Sequence, residues 1–172
     1  MSNARKFDFL IIGSGIAGLT FALKASELGS VAVVTKKEDA ESNTNYAQGG
    51  IAFAISVDDS FDLHIDDTLK AGAGLCHRDA VEVMVKEGPV YLKDLEKVGV
   101  KFTKIGRGKN AKYHLGREGG HSVNRIVHAK DLTGREVERA LLSAVRKNKN
   151  IKIFSNHIAI DLLTEHCQKK KK

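Results

Sequence analysis

Three glycines near the amino terminus have the spacing of a phosphate-binding turn. Gly13, Gly15 and Gly18 form the pattern G-x-G-x-x-G directly after the apolar run Phe9–Ile12. In such a turn the first glycine permits a tight bend, the second lets a pyrophosphate approach the backbone, and the third lets helix and strand pack closely. A helix that follows points its N–H groups and positive dipole end at the phosphates. The spacing predicts a dinucleotide site, with a purely structural turn as the alternative.

The elements around this turn alternate between strand and helix. The run Phe9–Ile12 is continuously apolar, as expected for a parallel strand that is covered on both faces. The apolar pattern further predicts a helix over residues 16–28, a helix from the capping-box sequence at Thr133 to Lys147, and strands at Val31–Val34, Ile151–Phe154 and residues 158–163. We therefore predict the α/β class, with a Rossmann-like parallel sheet and flanking helices.

The middle of the chain contains helix signals and one long polar stretch. A helix begins after Ser60, and a second is predicted from a cap at Asp79 to a break at Gly88-Pro89. A short strand is predicted at residues 51–55, and a third helix runs from Val90 to the glycine at position 99. Residues 105–122 are polar and contain five glycines, which predicts a long functional loop.

Composition limits the class of protein. The chain has 172 residues, of which 42% are hydrophobic, so we expect one globular domain at residues 1–164 and a basic, disordered tail at residues 165–172. No apolar run approaches the roughly 18 residues that span a bilayer, and residues 1–6 lack the apolar segment of a signal peptide. With only two cysteines, these features predict a cytoplasmic protein that does not bind membranes.

The net charge of +7 is concentrated at the end of the chain. Without the four lysines at positions 169–172 the charge is +3, and no basic face with interleaved aromatic residues is present. We therefore expect no nucleic-acid partner.

The end of the second predicted strand departs from a common dinucleotide pattern. An acidic residue there usually holds the ribose hydroxyls, but the sequence has Thr35-Lys36-Lys37, and Glu38 follows slightly too late. By spacing alone, a cation at this place is compatible with the 2′-phosphate of NADP.

The next stretch favours a flavin instead. Residues 43–50 (Asn-Thr-Asn-Tyr-Ala-Gln-Gly-Gly) resemble the second flavin-binding segment of the succinate dehydrogenase, fumarate reductase and L-aspartate oxidase family, which also commonly has Ser/Thr-Lys after the second strand. Residues 117–122 (Arg-Glu-Gly-Gly-His-Ser), 125–129 and 131–137 resemble the L-aspartate oxidase pattern within that family. The similarity extends from about Phe7 to Leu163.

This resemblance implies FAD as the cofactor. It places the pyrophosphate on backbone N–H groups of the glycine turn and Lys36 near the adenosine ribose. The cofactor-binding residues are then Gly13, Ser14, Gly15, Ile16, Ala17, Gly18, Lys36, Asn43, Thr44, Asn45, Tyr46, Ala47, Gln48, Gly49 and Gly50. Respiratory members have a histidine covalently joined to the flavin where this sequence has Asn43, so the resemblance implies non-covalent FAD.

The resemblance also places one side chain at the substrate. Glu118 would pair with the amino group of L-aspartate, which fumarate and succinate lack; the alternative is a loop acid paired with Arg117 or Arg125. The implied reaction is oxidation of L-aspartate to iminoaspartate at the start of NAD biosynthesis, with oxygen or fumarate as electron acceptor and quinolinate synthase as a partner. The alternatives are a non-catalytic flavin- or nucleotide-binding fragment and a piece of a fumarate reductase or succinate dehydrogenase.

Family members are longer, with a capping domain that carries the catalytic arginine and a helical C-terminal domain. We therefore expect a fold truncated before these domains, no catalytic residue in this chain and no turnover by the chain alone.

Other polar residues have plainer interpretations. His114, His121 and His128 are seven residues apart, which is not a zinc-binding pattern, so no metal is expected. His64, Asp66 and Asp67 are predicted to form the polar face of a helix.

Overall fold

A computed structural model of the chain describes residues 4–130 and 132–164. These residues group into two compact units. The first contains the chain up to Ser42 and from Leu142 onward, and the second is Asn43–Leu141. The predicted tail at 165–172 lies outside the described residues.

The first unit contains a parallel three-stranded sheet. Its strands are β1 (Phe9–Ile12), β2 (Val31–Val34) and β8 (Ile151–Phe154), in the order β1-β2-β8. Both pairings are parallel, with Phe9 opposite Val31 and Val31 opposite Ile151. Helix α1 (Ile16–Ala25) connects β1 to β2 and ends three residues before the predicted boundary. The predicted Rossmann-like strand–helix–strand order is confirmed.

Helix α1 covers one face of this sheet. Ala22 and Ala25 pack with Ile11, Val31 and Val33 in a buried cluster. The prediction that β1 is covered on both faces is wrong for the described residues. The side chains of Leu10 and Ile12, which point to the opposite face because side chains alternate along a strand, are 59% and 57% exposed.

The strand predicted at residues 158–163 is absent from the described structure. After β8 the chain turns at Asn156, which has a φ of 59°. The N–H of Asn156 then donates to Lys37 O and that of His157 to Thr35 O. The backbone thus bonds to the loop after β2 and leaves the sheet, and Ile160 is 95% exposed. A strand needs a neighbour for its backbone groups, and apolar alternation alone does not supply one.

Two helices form the core of the second unit. Helix α3 (Phe61–Ala71) begins as predicted, with the Ser60 hydroxyl accepting from the N–H of Leu63. Helix α4 (Arg78–Val98) packs against it through a cluster of Ile65, Val81 and Val85, joined by Leu69 and Cys76.

Helix α4 differs from the sequence prediction at its start and its middle. Its N-cap is His77, so Asp79 lies inside the first turn rather than at the cap. The predicted break at Gly88-Pro89 is wrong, because the helix continues through Pro89 to a left-handed cap at Gly99, which has a φ of 108°. A Cβ at Gly88 would lie 3.1 Å from Cδ1 of the buried Phe53, so this glycine permits close packing instead of ending the helix.

Short segments complete the second unit. The elements are α2 (Asn43–Tyr46), β3 (Ile51–Ala52), β4 (Lys104–Ile105), a 3-10 helix (Gly108–Asn110), β5 (Lys112–Tyr113), β6 (Leu115–Gly116), β7 (Ile126–Val127) and the start of α5 (Thr133–Lys147). Strands β3, β7 and β6 form an antiparallel sheet in that order, and β4 pairs with β5. The boundary between the two units falls within α5.

The capping box predicted at the start of α5 is replaced by other bonds among the described contacts. Thr133 is already helical, and its hydroxyl accepts from the N–H of Ala129. The Glu136 carboxylate accepts from the backbone N–H of Lys101 and from the Arg139 guanidinium instead of folding back on Thr133. The two side chains of the predicted capping box thus bond to other groups, of which Lys101 is distant in sequence.

Replacing Gly18 by alanine tests the helix–strand contact. A Cβ at position 18 would overlap the carbonyl oxygen of Gly13. Alanine favours helices, but overpacking costs about 1–3 kcal/mol, so we expect a net loss in the free energy of unfolding, measured by chemical denaturation. Gly119→Ala is the control because a Cβ there meets nothing within 4 Å. Equal or greater stability of Gly18→Ala would contradict the packing role.

Candidate functional site

The glycine turn of the first unit has the geometry that its spacing predicts. Gly13 has a φ of 105°, and its N–H donates to Val34 O at 2.8 Å. Gly18 lies against the carbonyl oxygen of Gly13, so α1 lies close to the end of β1. The Ser14 hydroxyl is buried and donates to the Thr35 hydroxyl at 3.1 Å. The side chain of Ser14 thus binds the residue that follows β2, and only its backbone remains for a ligand.

The start of α1 fits a phosphate group. Its N-cap, Gly15, has an extended backbone (φ −73°, ψ 178°) and no side chain that could cap the helix. The first turn of a helix favours an anion through its backbone N–H groups and the helix dipole, and α1 begins at Ile16, directly after the glycine turn. The turn therefore has a backbone geometry that suits a pyrophosphate, and its role as the pyrophosphate site stays a prediction.

The loop after β2 presents a cation. Lys36 is exposed, and Glu38 is occupied by a hydrogen bond from the Asn156 side chain at 2.8 Å. Glu38 is thus bound to the segment after β8, while Lys36 is at the predicted ribose position of the turn.

In the second unit, residues 43–50 contain α2 and then a run of four residues outside any helix or strand. Backbone contacts hold this run from two sides. The N–H of Gly134 donates to Ala47 O at 3.0 Å, and a Cβ at Gly134 would overlap Thr44 O. A Cβ at Gly50 would overlap the Ile126 side chain of β7. Gly50 therefore permits close packing on β7, a role that the sequence interpretation did not foresee.

Glu118 lies against this run. Its Oε1 accepts from the N–H of Gly50 at 3.2 Å, and a Cβ at Gly49 would lie 3.2 Å from the same oxygen. The described ion pairs do not include the alternative pairings of Glu118 with Arg117 or Arg125. Arg125 binds two other carboxylates, and Nη1 of Arg117 donates to Ser122 O at 3.4 Å. The structure thus brings the predicted substrate residue to the predicted flavin segment.

A buried ion cluster lies beside the loop that contains Glu118. The Arg125 side chain is fully buried and binds Asp59 through Nη2 at 2.7 Å and Asp67 through Nη1 at 2.8 Å. Asp67 also accepts from the N–H and hydroxyl of Ser122. Burial opposes ionisation of Asp67, but the bonds from Ser122 and the charge of Arg125 hold its pKa below the usual value.

Sequence reasoning missed this cluster. The sequence suggests Arg125 as a possible partner of Glu118 and places Asp67 on the polar face of a helix, without pairing the two residues. Nothing local distinguishes a buried arginine from an exposed one, since its partners lie 58 and 66 positions away. Two acids at the start and middle of one helix, with an arginine in a glycine-rich loop, are the only sequence signal.

His64 is also buried rather than on an exposed face. Its side chain is 5% exposed and its ring lies 5.7 Å from that of His121. Within the described residues its Nδ1 has no hydrogen-bond partner. Burial lowers the pKa of His64, and the positive charge of Arg125 adds to this effect.

The other histidines do not converge on one point. His114 Nδ1 and His128 Nε2 are hydrogen-bonded at 2.7 Å, whereas Nδ1 of His121 lies 3.3 Å from Arg125 Nη1. Across residues 4–130 and 132–164, no group of three or more His, Cys, Asp or Glu side chains could hold a metal ion. In the same residues, no helix is both long and apolar enough to cross a bilayer.

Comparison with known proteins is consistent with this geometry. The sequence matches the family model of an FAD binding domain over residues 8–170. The chain belongs to this family. The predictions of FAD as cofactor and of a Rossmann-like fold are therefore confirmed.

Relatives of this FAD-binding chain are L-aspartate oxidases. It is 54% identical over 166 residues to the chloroplastic L-aspartate oxidase of Oryza sativa subsp. japonica, a match that covers 96% of this chain and 25% of that protein. It is 44% identical over 159 residues to L-aspartate oxidase 1 of Ralstonia nicotianae, covering 92% and 30% of the two proteins. The chain thus spans about a quarter to a third of these relatives.

A solved structure gives the same architecture. A mutant of E. coli quinol fumarate reductase superposes with a TM-score of 0.85 and 30% sequence identity, covering 92% of this chain and 27% of that one. Identity to the L-aspartate oxidases is higher, which favours that pattern over the respiratory enzymes, as the sequence motifs predict.

Acid should destabilise this FAD-binding chain through His64. Because its folded pKa is lowered, the unfolded chain binds a proton first as the pH falls below about 6.5, the unfolded value. Stability contributed by the neutral ring is complete above that pH and declines by up to about 1.4 kcal/mol per pH unit until the folded pKa is passed. We expect His64→Gln, which does not titrate, to have a shallower pH dependence of the free energy of unfolding between pH 7.5 and 5. Parallel curves for the two proteins would contradict this.

Proposed function

We propose that this chain is the FAD-binding part of an L-aspartate oxidase, holds FAD without a covalent bond and binds the amino group of L-aspartate through Glu118. The observation that carries the proposal is the contact between the Glu118 carboxylate and the Gly50 amide of the flavin segment. The identity to proteins named L-aspartate oxidase supports the choice of substrate.

The residues of the chain would bind and orient both molecules. The glycine turn would hold the pyrophosphate through its backbone, and Lys36 would lie near the ribose. Residues 43–50 would wrap the flavin. When bound, FAD supplies the hydride acceptor for oxidation of L-aspartate to iminoaspartate, with oxygen or fumarate taking the electrons afterwards.

Glu118 would determine the specificity for L-aspartate over succinate and fumarate, which have no amino group. An ionised carboxylate has about four acceptor sites, and the Gly50 N–H occupies one. The remaining sites can accept an ammonium group, which succinate and fumarate do not possess. A site built to bind an amine loses that bond with an analogue lacking it.

Two further assignments extend this proposal. Iminoaspartate would pass to a quinolinate synthase, since the product must be consumed by condensation. The cytoplasmic location stays a prediction, and the plant relatives are named chloroplastic.

Binding of FAD is tested with the purified chain and the variant Gly15→Val. We expect the wild type to bind FAD and to release it on acid precipitation, because the amide of Asn43 cannot tether the ring. The variant should bind none, since a side chain at position 15 occupies the path of the pyrophosphate. Flavin absorbance of pellet and supernatant is the measurement, and Leu28→Ala, at an exposed site of the same unit, is the control. Flavin in the acid pellet would contradict non-covalent binding, and unchanged affinity in folded Gly15→Val would contradict the turn's role.

Replacement of Glu118 by glutamine tests the substrate assignment. In the FAD-loaded chain we expect L-aspartate to perturb the flavin absorbance at lower concentration than succinate does. The variant should lose that preference by about tenfold or more, because hydrogen bonds to charged groups contribute about 1.5–3 kcal/mol. Glu87→Gln, at an exposed position on α4, should behave as the wild type. A preference that survives in Glu118→Gln would exclude this role.

A further inference from the structure

We infer that Arg125 is a positioning residue that, through Asp67, holds the loop of residues 117–124 so that the Glu118 carboxylate meets the Gly50 amide. The role of this contact in substrate choice rests on the proposed function. The positions of Arg125, Asp67 and Glu118 are independent of that proposal. Arg125 itself touches neither Glu118 nor residues 43–50 in any described hydrogen bond or ion pair.

The guanidinium fixes the end of the loop to one helix at two points. Nε and Nη2 bind both oxygens of Asp59 at 2.9 and 2.7 Å, immediately before the Ser60 cap of α3. Nη1 binds Asp67, two turns further along the same helix, at 2.8 Å. Such a planar fork can satisfy two carboxylates at once, whereas a lysine ammonium acts as a single point charge.

The backbone of Arg125 is fixed as well. Its N–H donates to Gly116 O at 3.0 Å, and its carbonyl accepts from Phe53 at 3.0 Å. The loop therefore leaves the sheet at Gly116 and returns to it at Arg125. Because both ends are held, the path of the chain between them depends on a few internal bonds.

Asp67 passes the constraint from Arg125 into this loop. The oxygen that binds Arg125, Oδ2, also accepts from the Ser122 N–H at 2.9 Å and hydroxyl at 2.8 Å. Across the loop, the His121 N–H donates to Glu118 O at 3.3 Å. The series Arg125–Asp67–Ser122 therefore ends at the neighbour of His121, whose N–H bonds to the Glu118 carbonyl.

The ring of His121 adds to this arrangement. A guanidinium has donors only, so at 3.3 Å His121 Nδ1 must accept from Arg125 Nη1. This bond requires the tautomer of His121 that has its proton on Nε2. Arg125 thus contacts the loop directly through His121 and indirectly through Asp67, on the two residues that follow Gly120.

The amide signal of Gly50 in the NMR spectrum of the ¹⁵N-labelled chain reports this geometry. A hydrogen bond to a carboxylate shifts the amide proton, and a residue that only stabilises the fold would not change that signal. The Glu118→Gln spectrum defines the position of the signal when the charged acceptor is lost. All spectra are recorded without FAD or substrate.

We expect Arg125→Lys to move the Gly50 amide proton at least half of the way from its wild-type position to that in Glu118→Gln, while the signals of α4 stay in place. Lysine keeps the charge but cannot bind both carboxylates. The matched control is Arg139→Lys, since Arg139 also binds a carboxylate through two nitrogens but its side chain is 53% exposed. The control should leave Gly50 unmoved.

If Arg125→Lys does not fold, Asp67→Ala tests whether the link from Arg125 to Ser122 positions Glu118. This variant keeps the Arg125–Asp59 pair and removes only the carboxylate that links it to Ser122. Movement of the Gly50 signal as above supports the inference, and an unmoved signal in either folded variant overturns it. Adding L-aspartate to FAD-loaded wild type and Glu118→Gln tests the proposed function separately, so that each can fail without the other.

Discussion

A buried arginine must find anionic partners, and this requirement organises the second unit. Arg125 is fully buried and satisfies its charge with Asp59 and Asp67, whose side chains are 0% and 14% exposed. Burying an unpaired charge in a protein interior costs a large desolvation free energy. Separating any one of the three groups would leave such a charge, so the cluster stays together. Helix α3, Phe53 after β3 and the loop after β6 are therefore all bonded to the same arginine.

The candidate site of the second unit is assembled mostly from backbone. Gly50 packs against β7, Gly134 against Thr44 and Ala47, and the Gly50 N–H meets Glu118. Glycine is needed at these places because a Cβ would overlap its neighbours. The segment can thus approach a flat ligand while its own position is set by neighbouring strands and helices. In the first unit the same principle operates at Gly18, where helix α1 closes on Gly13.

Local features were predictable where one segment decides the outcome. The glycine turn, the Ser60 cap and the left-handed end of α4 at Gly99 depend on residues within a few positions of one another. Predictions failed where distant groups compete with local ones. Glu136 accepts from the N–H of Lys101, 35 positions away, instead of closing the capping box. Helix α4 continues through Pro89 because its buried residues on both sides, Val85 and Leu92, are packed in the unit.

By itself, the sequence determined the class of fold, the glycine turn after β1 and the FAD-binding family, since these depend on residue types at short, fixed spacing. Only the tertiary structure decided which charges are buried and paired. Arg125, Asp67 and His64 have ordinary polar side chains in the sequence, and their burial follows from contacts made across more than fifty positions. The tertiary structure also decided the partner of Glu118, because that partner is the backbone N–H of Gly50 and a backbone group cannot be predicted from residue types. Charge pairing and backbone bonding at long range depend on the folded path of the chain, which periodicity and motif spacing do not contain.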